Sequence, residues 1–137
     1  MVPYDRTLIS KALPMINARD KCLRPAEFLA EADIDYRLSS IVTEINPVAK
    51  KLTLGSGEVI DYDKLCLATG SKVRKVNIPG ADLNGVHYLR TSQDQEAIKS
   101  GAANASKIAV CGSSWIATEV ASALATKYKG EKEIYLI

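Results

Sequence analysis

Cysteine is scarce and scattered in this sequence. Cys22, Cys66 and Cys111 are its only three, and no two lie within four residues of each other. That excludes a CxxC redox pair and a zinc knuckle, which need ligands a few residues apart. An odd, dispersed count fits reduced intracellular thiols. An excess of charge of one sign is also lacking. Eighteen Lys and Arg face 16 Asp and Glu, for a net of +2, too balanced for a nucleic-acid wrapper or a polybasic membrane binder. No apolar run reaches the roughly 18 residues that suggest a membrane-spanning helix. The opening Met1-Val2-Pro3-Tyr4-Asp5-Arg6 has no apolar core of the kind a signal peptide carries. The expectation is a soluble intracellular protein, cytoplasmic or mitochondrion-associated. Histidine is reduced to His87, with no acid–base partner nearby, so a structural or surface role is the better reading. Internal repeats and low-complexity tracts are absent.

What is present is ordinary for a globular chain. The 137 residues are 47% apolar and 25% charged, which excludes disordered and fibrous classes and is about one domain's worth. The first 24 residues read as irregular, punctuated by Pro3 and Pro14 and bounded by Pro25. A short helix follows over Arg24–Glu31, with Pro25 suited to the first helical position because its missing N–H would be unpaired there anyway. Ile34–Leu38, Ile41–Ile45, Lys51–Leu54 and Glu58–Tyr62 alternate or are β-branched, and Asn46-Pro47 and Gly55-Ser56-Gly57 supply turns. The spacing predicts an antiparallel meander of about three strands. Lys64–Ala68 is apolar on both faces, the pattern of a strand buried in a parallel sheet, and Cys66 within it and Cys111 later read as buried small hydrophobes. Val86–Leu89 reads as another short strand. Ser92 is a candidate N-cap for a helix over Gln93–Lys99, followed by a loop over Gly101–Ser106.

The last stretch carries the clearest local pattern. Lys107–Cys111 is a buried-type strand, Gly112-Ser113-Ser114 turns the chain, and Trp115–Lys129 is a helix with Ile116, Val120, Leu124 and Tyr128 at i+4 spacing. Gly130 ends it, and Glu133–Ile137 starts a second strand, so the unit is βαβ. The first N–H groups of a helix lack internal partners and carry partial positive charge, which makes such a turn an anion site. Dinucleotide folds exploit this with GxGxxG. Here the turn is Gly112-Ser113-Ser114-Trp115-Ile116-Ala117. Ala117 satisfies the third position, where a small residue permits close helix–strand packing, and Ala121 and Ala125 continue a small-residue stripe. Ser114 replaces the second glycine and would crowd a pyrophosphate or offer it a hydroxyl. An ordinary βα turn with a serine cap is the competing reading.

Six segments in order add a resemblance over nearly the whole chain. Pro3-Tyr4-Asp5-Arg6-Thr7-Leu8-Ile9-Ser10-Lys11 and Leu23–Phe28 resemble segments of flavin-dependent pyridine-nucleotide reductases. These are the ferredoxin and rubredoxin reductases and the apoptosis-inducing-factor-like branch of the pyridine nucleotide-disulfide oxidoreductase superfamily. Asp61–Ser71 is similar to that group's YDxLxxATGS, Ile78-Pro79-Gly80-Ala81 to its IPGA, Leu89-Arg90-Thr91 with Asp94 to its LRTxxD, and Gly112–Glu119 to its GGGFIGLE.

The resemblance implies an α/β fold: part of an FAD/NAD(P)-binding two-Rossmann-domain architecture with an antiparallel β-meander insertion. It implies three regions: residues 1–75 as the C-terminal part of an FAD-binding domain, 76–106 as linker and connecting helix, and 107–137 as the first βαβ half of an NAD(P)-binding domain. The implied activity is FAD-dependent NAD(P)H oxidation, with electrons passed through the flavin to a ferredoxin-like or Rieske-type acceptor protein. The alternative is a non-catalytic remnant, or an incomplete gene model, that binds a nucleotide or partner chain without turnover. By the same resemblance Arg6 and Lys11 lie by the flavin, where a cation stabilises the reduced ring, and Glu119 pairs with Lys11. A solvated basic loop and a helix-dipole acid are the competing readings of these residues. Val42 contacts the adenine through its backbone, Thr69 and Gly70 close over FAD phosphates and ribose, and Gly112, Ser113, Ser114, Trp115 and Ile116 hold the nicotinamide nucleotide. For Trp115, core packing competes. No metal site is implied. A parallel sheet short of neighbouring strands leaves unpaired edges, so self-association is expected.

Overall fold

The structure, a computed structural model, describes residues 3–137. These residues form two compact units, Arg24–Ser71 on the one hand and Pro3–Leu23 with Lys72–Ile137 on the other. The implied regions 1–75, 76–106 and 107–137 refer to a longer fold.

The unit Arg24–Ser71 contains a short helix and a meander. Helix α2 spans Ala26–Glu31, with Pro25 in extended conformation at its N-cap. Strands β1 (Val42–Asn46), β2 (Lys51–Leu54) and β3 (Val59–Asp61) form one antiparallel sheet in the order β1-β2-β3. Asn46 accepts from the Ala49 N–H through its side chain and so closes the first turn. Gly57 closes the second turn with φ +87°, as a hairpin requires. Leu54 is the buried apolar residue of this unit. Arg37 bonds both Glu58 and Asp35, and these bonds, Glu58 first, raise its already high pKa.

The other unit holds most of the buried core. Helix α1 (Leu8–Lys11) and a 3-10 turn (Ala18–Asp20) lie in the N-terminal segment, and an isolated bridge joins Tyr4 to Cys22. Helix α3 (Ser92–Asn104) begins with a capping box. Asp94 N–H donates to the Thr91 side chain, and the Asp94 carboxylate accepts from the Thr91 N–H. Strands β4 (Lys107–Val110) and β5 (Glu133–Leu136) pair in parallel, with Ile108 opposite Ile134, and α4 (Trp115–Tyr128) connects them. Leu13, Ala102, Val120 and Leu124 form the core cluster. Lys129 ends α4 in the left-handed region, and Gly130 follows at φ +89°.

Several expectations are corrected. Ile34–Leu38, Lys64–Ala68 and Val86–Leu89 are not strands. Their composition suits a strand, but a strand needs a hydrogen-bonding neighbour, and none of the described segments supplies one. Leu67 is accordingly exposed, and so are Cys66 and Cys111, which do not pack as buried hydrophobes. The N-terminal segment is ordered rather than irregular, because Leu13 and Ala18 are fully buried. Helix α3 runs through Gly101 to Asn104, absorbing most of the expected loop, and Thr91 rather than Ser92 is its N-cap. On α4, Val120 and Leu124 are buried whereas Ile116 is exposed, and Ala125, at the far end of the small-residue stripe, faces solvent. No helix is long and apolar enough to cross a membrane, among the described residues.

Candidate functional site

The N-terminal segment is pinned before it presents any chemistry. Asp5 accepts from the N–H and hydroxyl of Thr7 at 2.9 and 2.8 Å, shaping the turn into α1. Tyr4 accepts from the Ser92 N–H at 3.1 Å. Gln95 on α3 has no exposed surface. Its Oε1 accepts from the Ala18 N–H at 2.9 Å, and its Nε2 lies 2.9 Å from Ile16 O, 3.4 Å from Leu13 O and 3.5 Å from Leu8 O. One side chain thus ties down the segment on both sides of Lys11. Ile9, Ser10 and Leu13 face inward, leaving Lys11 at the half-exposed end of α1.

The opposite wall comes from the β4–α4 turn. Gly112 sits at φ +125°, a conformation that strains any residue with a Cβ. Its N–H donates to Ile137 O at 2.7 Å, and a Cβ placed there would lie 3.7 Å from the Ala117 Cβ. The glycine is therefore required by backbone geometry, and Ala117 is buried beside it. Ser114 occupies the N-cap in extended conformation, and its side chain makes no cap bond. Trp115, the first helical residue, is 84% exposed, which excludes core packing. Glu119 follows one turn on.

These walls meet in an ion pair. Lys11 Nζ lies 2.7 Å from Glu119 Oε1, and Ser10 Oγ donates to Glu119 Oε2 at 2.6 Å. Hydrogen bonds from Lys11 and then Ser10 hold the Glu119 carboxyl below the usual carboxylate range, because both favour the charged form. Lys11 and Glu119 are thus neither a free solvated cation nor a lone dipole acid. An open cavity of about 570 Å³ is bordered by Arg6, Lys11, Leu89, Arg90, Trp115, Ile116 and Glu119 among others. A second, of about 370 Å³, shares Lys11, Trp115 and Glu119 and runs along α4 past Thr118 and Ser122.

Of the residues picked from sequence, Arg6, Lys11, Trp115, Ile116 and Glu119 border one cavity. Gly112, Ser113 and Ser114 form the turn that leads into it. Val42 lies on β1 and Thr69 and Gly70 in the coil after β3, all exposed and all in the unit Arg24–Ser71. Gly70 has φ +74°, in the left-handed region that favours glycine. Sequence reasoning passed over Ser10, Arg90 and Gln95. Ser10 and Arg90 sit inside segments that carried the resemblance. Gln95 gave no signal, since a polar residue in a helix reads as solvent-facing. Among the described residues, no cluster of His, Cys, Asp and Glu is placed to hold a metal ion.

Comparison with known proteins gives a consistent picture. The signature of the family described as pyridine nucleotide-disulphide oxidoreductase matches residues 1–137. Rhodocoxin reductase of Rhodococcus erythropolis is 39% identical over 128 residues, covering 92% of this chain and 30% of that protein. Among solved structures, the ferredoxin reductase for the CYP199A2 system of Rhodopseudomonas palustris superposes with a TM-score of 0.85 at 30% identity, over 98% of this chain and 33% of that one. NADH:rubredoxin oxidoreductase of Clostridium acetobutylicum gives 0.79 at 27% identity, over 99% and 35%. The chain therefore spans about a third of the length of the proteins it matches.

Proposed function

The chain belongs to the pyridine nucleotide-disulphide oxidoreductase family, and from that premise we propose that it carries the lysine–glutamate side of the redox site of an FAD-dependent NAD(P)H oxidoreductase. The electron acceptor in this reading is a small ferredoxin-like or Rieske-type protein, and the compartment is intracellular, cytoplasmic or mitochondrion-associated. Residues 1–75 are then the later part of an FAD-binding domain, 76–106 the connection, and 107–137 the opening half of an NAD(P)-binding domain. The single observation that carries this is the Lys11–Glu119 pair, closed at 2.7 Å beside an exposed Trp115, at the mouth of a strand–glycine–helix turn.

The residues fit the two groups in distinct ways. For a planar flavin ring that gains negative charge on reduction, the cavity offers Lys11 with Arg6 and Arg90 on its border. For a nicotinamide nucleotide, the Gly112 turn offers the N-terminus of a 14-residue helix whose N-cap side chain is not engaged with the backbone. Among the described residues, β4–α4 is the one strand–helix turn of this kind, so it can seat one pyrophosphate in that manner. Val42 is proposed for the adenine of the FAD, and Thr69 and Gly70 for its phosphates and ribose.

A bound flavin supplies two-electron acceptance from the nicotinamide and one-electron delivery to the acceptor. Lys11 supplies a fixed positive charge, and its half-exposed side chain is held in place by Glu119. Glu119 in turn accepts from the Lys11 ammonium and fixes its position. Trp115 presents an exposed aromatic side chain on the border of the same two cavities as the pair. Arg6 adds a second cation on the same border.

Trp115 is the only tryptophan in the chain, so its emission reports ligands at this border. Saturable quenching by NADH or NADPH, weakened in a Gly112→Val variant, together with FAD-dependent nucleotide oxidation by the chain, is the expected result. No saturable response to FAD or to either nucleotide overturns the reading. Saturable binding with no oxidation, even with ferricyanide as acceptor, favours the remnant that binds without turnover.

A further inference from the structure

We propose that Ser10 is a positioning residue that holds Glu119 against Lys11 in both protonation states, through a hydroxyl that changes between donor and acceptor. The side chain is buried at 4% exposure, one residue before Lys11 on the same short helix. Two neighbouring residues of α1 thus take one carboxylate oxygen each: Lys11 takes Oε1 at 2.7 Å and Ser10 takes Oε2 at 2.6 Å. Ser10 Oγ also has a second acceptor, Thr7 O, at 3.3 Å.

A serine hydroxyl has a single proton and two lone pairs, so it cannot donate to both. With Glu119 ionised, the proton points at Oε2, because a bond to a charged acceptor is the stronger one. When Glu119 takes a proton on Oε2, the carboxyl becomes the donor. Ser10 Oγ then accepts from it and turns its own proton to Thr7 O. One proton has been added from solvent, one hydroxyl has rotated, and no heavy atom has moved. Lys11 loses its counter-charge while the geometry of the pair survives.

Lys11 and Ser10 favour the ionised form of this carboxylate, and burial opposes it. Arg6 and Arg90 border the same cavity. On β4 and β5, Lys107 and Tyr135 are both engaged with Glu133. Asp5, before α1, is bonded to Thr7. Removing the Ser10 hydroxyl takes away the charge-assisted bond, so the carboxyl must titrate at higher pH, while a threonine restores the donor.

As a catalytic role this rests on the flavin reading above, but its test involves neither flavin nor nicotinamide. Carboxyl-carbon NMR titration of Glu119 in the full 137-residue chain is the measurement. The expected result is an upward shift of the Glu119 midpoint in Ser10→Ala and a midpoint near the wild type in Ser10→Thr. In the wild type, contacts between the side chains of residues 10 and 119 persist below the midpoint. An unchanged midpoint in Ser10→Ala, or loss of the wild-type contacts on protonation, overturns the proposal. The second arm needs no variant, so it decides the matter even where Ser10→Ala fails to fold. A chain that passes this test but gives no nucleotide response of Trp115 keeps the hydroxyl switch and loses the flavin reading. The converse result loses the switch alone.

Discussion

Gln95 engages both of its polar atoms while having no contact with solvent. Its amide faces three carbonyls, from Leu8, Leu13 and Ile16, and its oxygen takes the Ala18 N–H. Two amide protons shared among three acceptors give one good bond, at 2.9 Å to Ile16 O, and two longer ones. The segment it holds has only four residues of helix, too few to be stable by local propensity. Gln95→Ala therefore removes the partner of a backbone N–H and leaves a small void, at a cost of about 3 kcal/mol. Urea unfolding of the variant checks this, and a loss under about 1 kcal/mol would mean that the burial of Leu13 and Ala18 alone places the segment. Gln95→Glu is expected to be the more damaging change near neutral pH, since an ionised carboxylate would face three carbonyl oxygens. Burial raises the folded-state pKa of such a carboxyl above its unfolded value. The variant should therefore recover part of its stability as the pH falls through that raised value.

At the scale of elements, the βαβ unit shows where sequence pattern is a sound guide and where it stops. Lys107–Val110, Trp115–Tyr128 and Glu133–Leu136 fall within a residue of the pattern, because a short apolar run, a glycine and an i+4 apolar row leave few alternatives. Gly112 can be tested directly. At φ +125° an added Cβ has room, at 3.7 Å from Ala117 Cβ, so the penalty is conformational strain rather than a clash. Gly112→Ala should destabilise the chain by about 1–2 kcal/mol, read as a lower denaturation midpoint at unchanged slope. A neutral result would show that the turn relaxes to negative φ. The meander was equally legible from Asn46-Pro47 and Gly55-Ser56-Gly57. Lys64–Ala68 and Val86–Leu89 were not, since no local pattern reveals whether a strand will find a neighbour. The end of α3 was misplaced because Gly101 reads as a helix breaker, whereas here it packs under His87, whose Nε2 would lie 3.3 Å from an added Cβ. The ion pair Lys11–Glu119 joins residues 108 apart. No composition or periodicity could connect them, and only the resemblance did. Ser10, beside Lys11, is linked to Glu119 only by the folded structure.

Over the whole chain, burial is unevenly shared. Of the described buried apolar residues, Leu54 alone belongs to Arg24–Ser71, while Ile9, Leu13, Ala18, Ala102, Ala117, Val120, Ala123 and Leu124 belong to the other unit. Apolar burial is the main stabilising contribution, at about 25 cal/mol per Å², so the two units must differ in how easily they open. The unit Arg24–Ser71 also keeps large apolar side chains in solvent, with Ile41 at 72%, Val48 at 94% and Leu67 at 68% exposure. Its outer strands β1 and β3 each have one unpaired edge among the described residues. Such edges and side chains favour pairing between copies. Hydrogen exchange on the chain at two concentrations tests both consequences together. In dilute solution, amides of β1–β3 should exchange quickly, through local opening, while those of α3, α4 and β4 exchange slowly. At high concentration the β1 and β3 amides should slow and the particle size should grow, with the α4 amides unchanged. Slow exchange in the meander that does not depend on concentration would mean that its hairpin hydrogen bonds suffice without a buried core, and would remove the case for self-association.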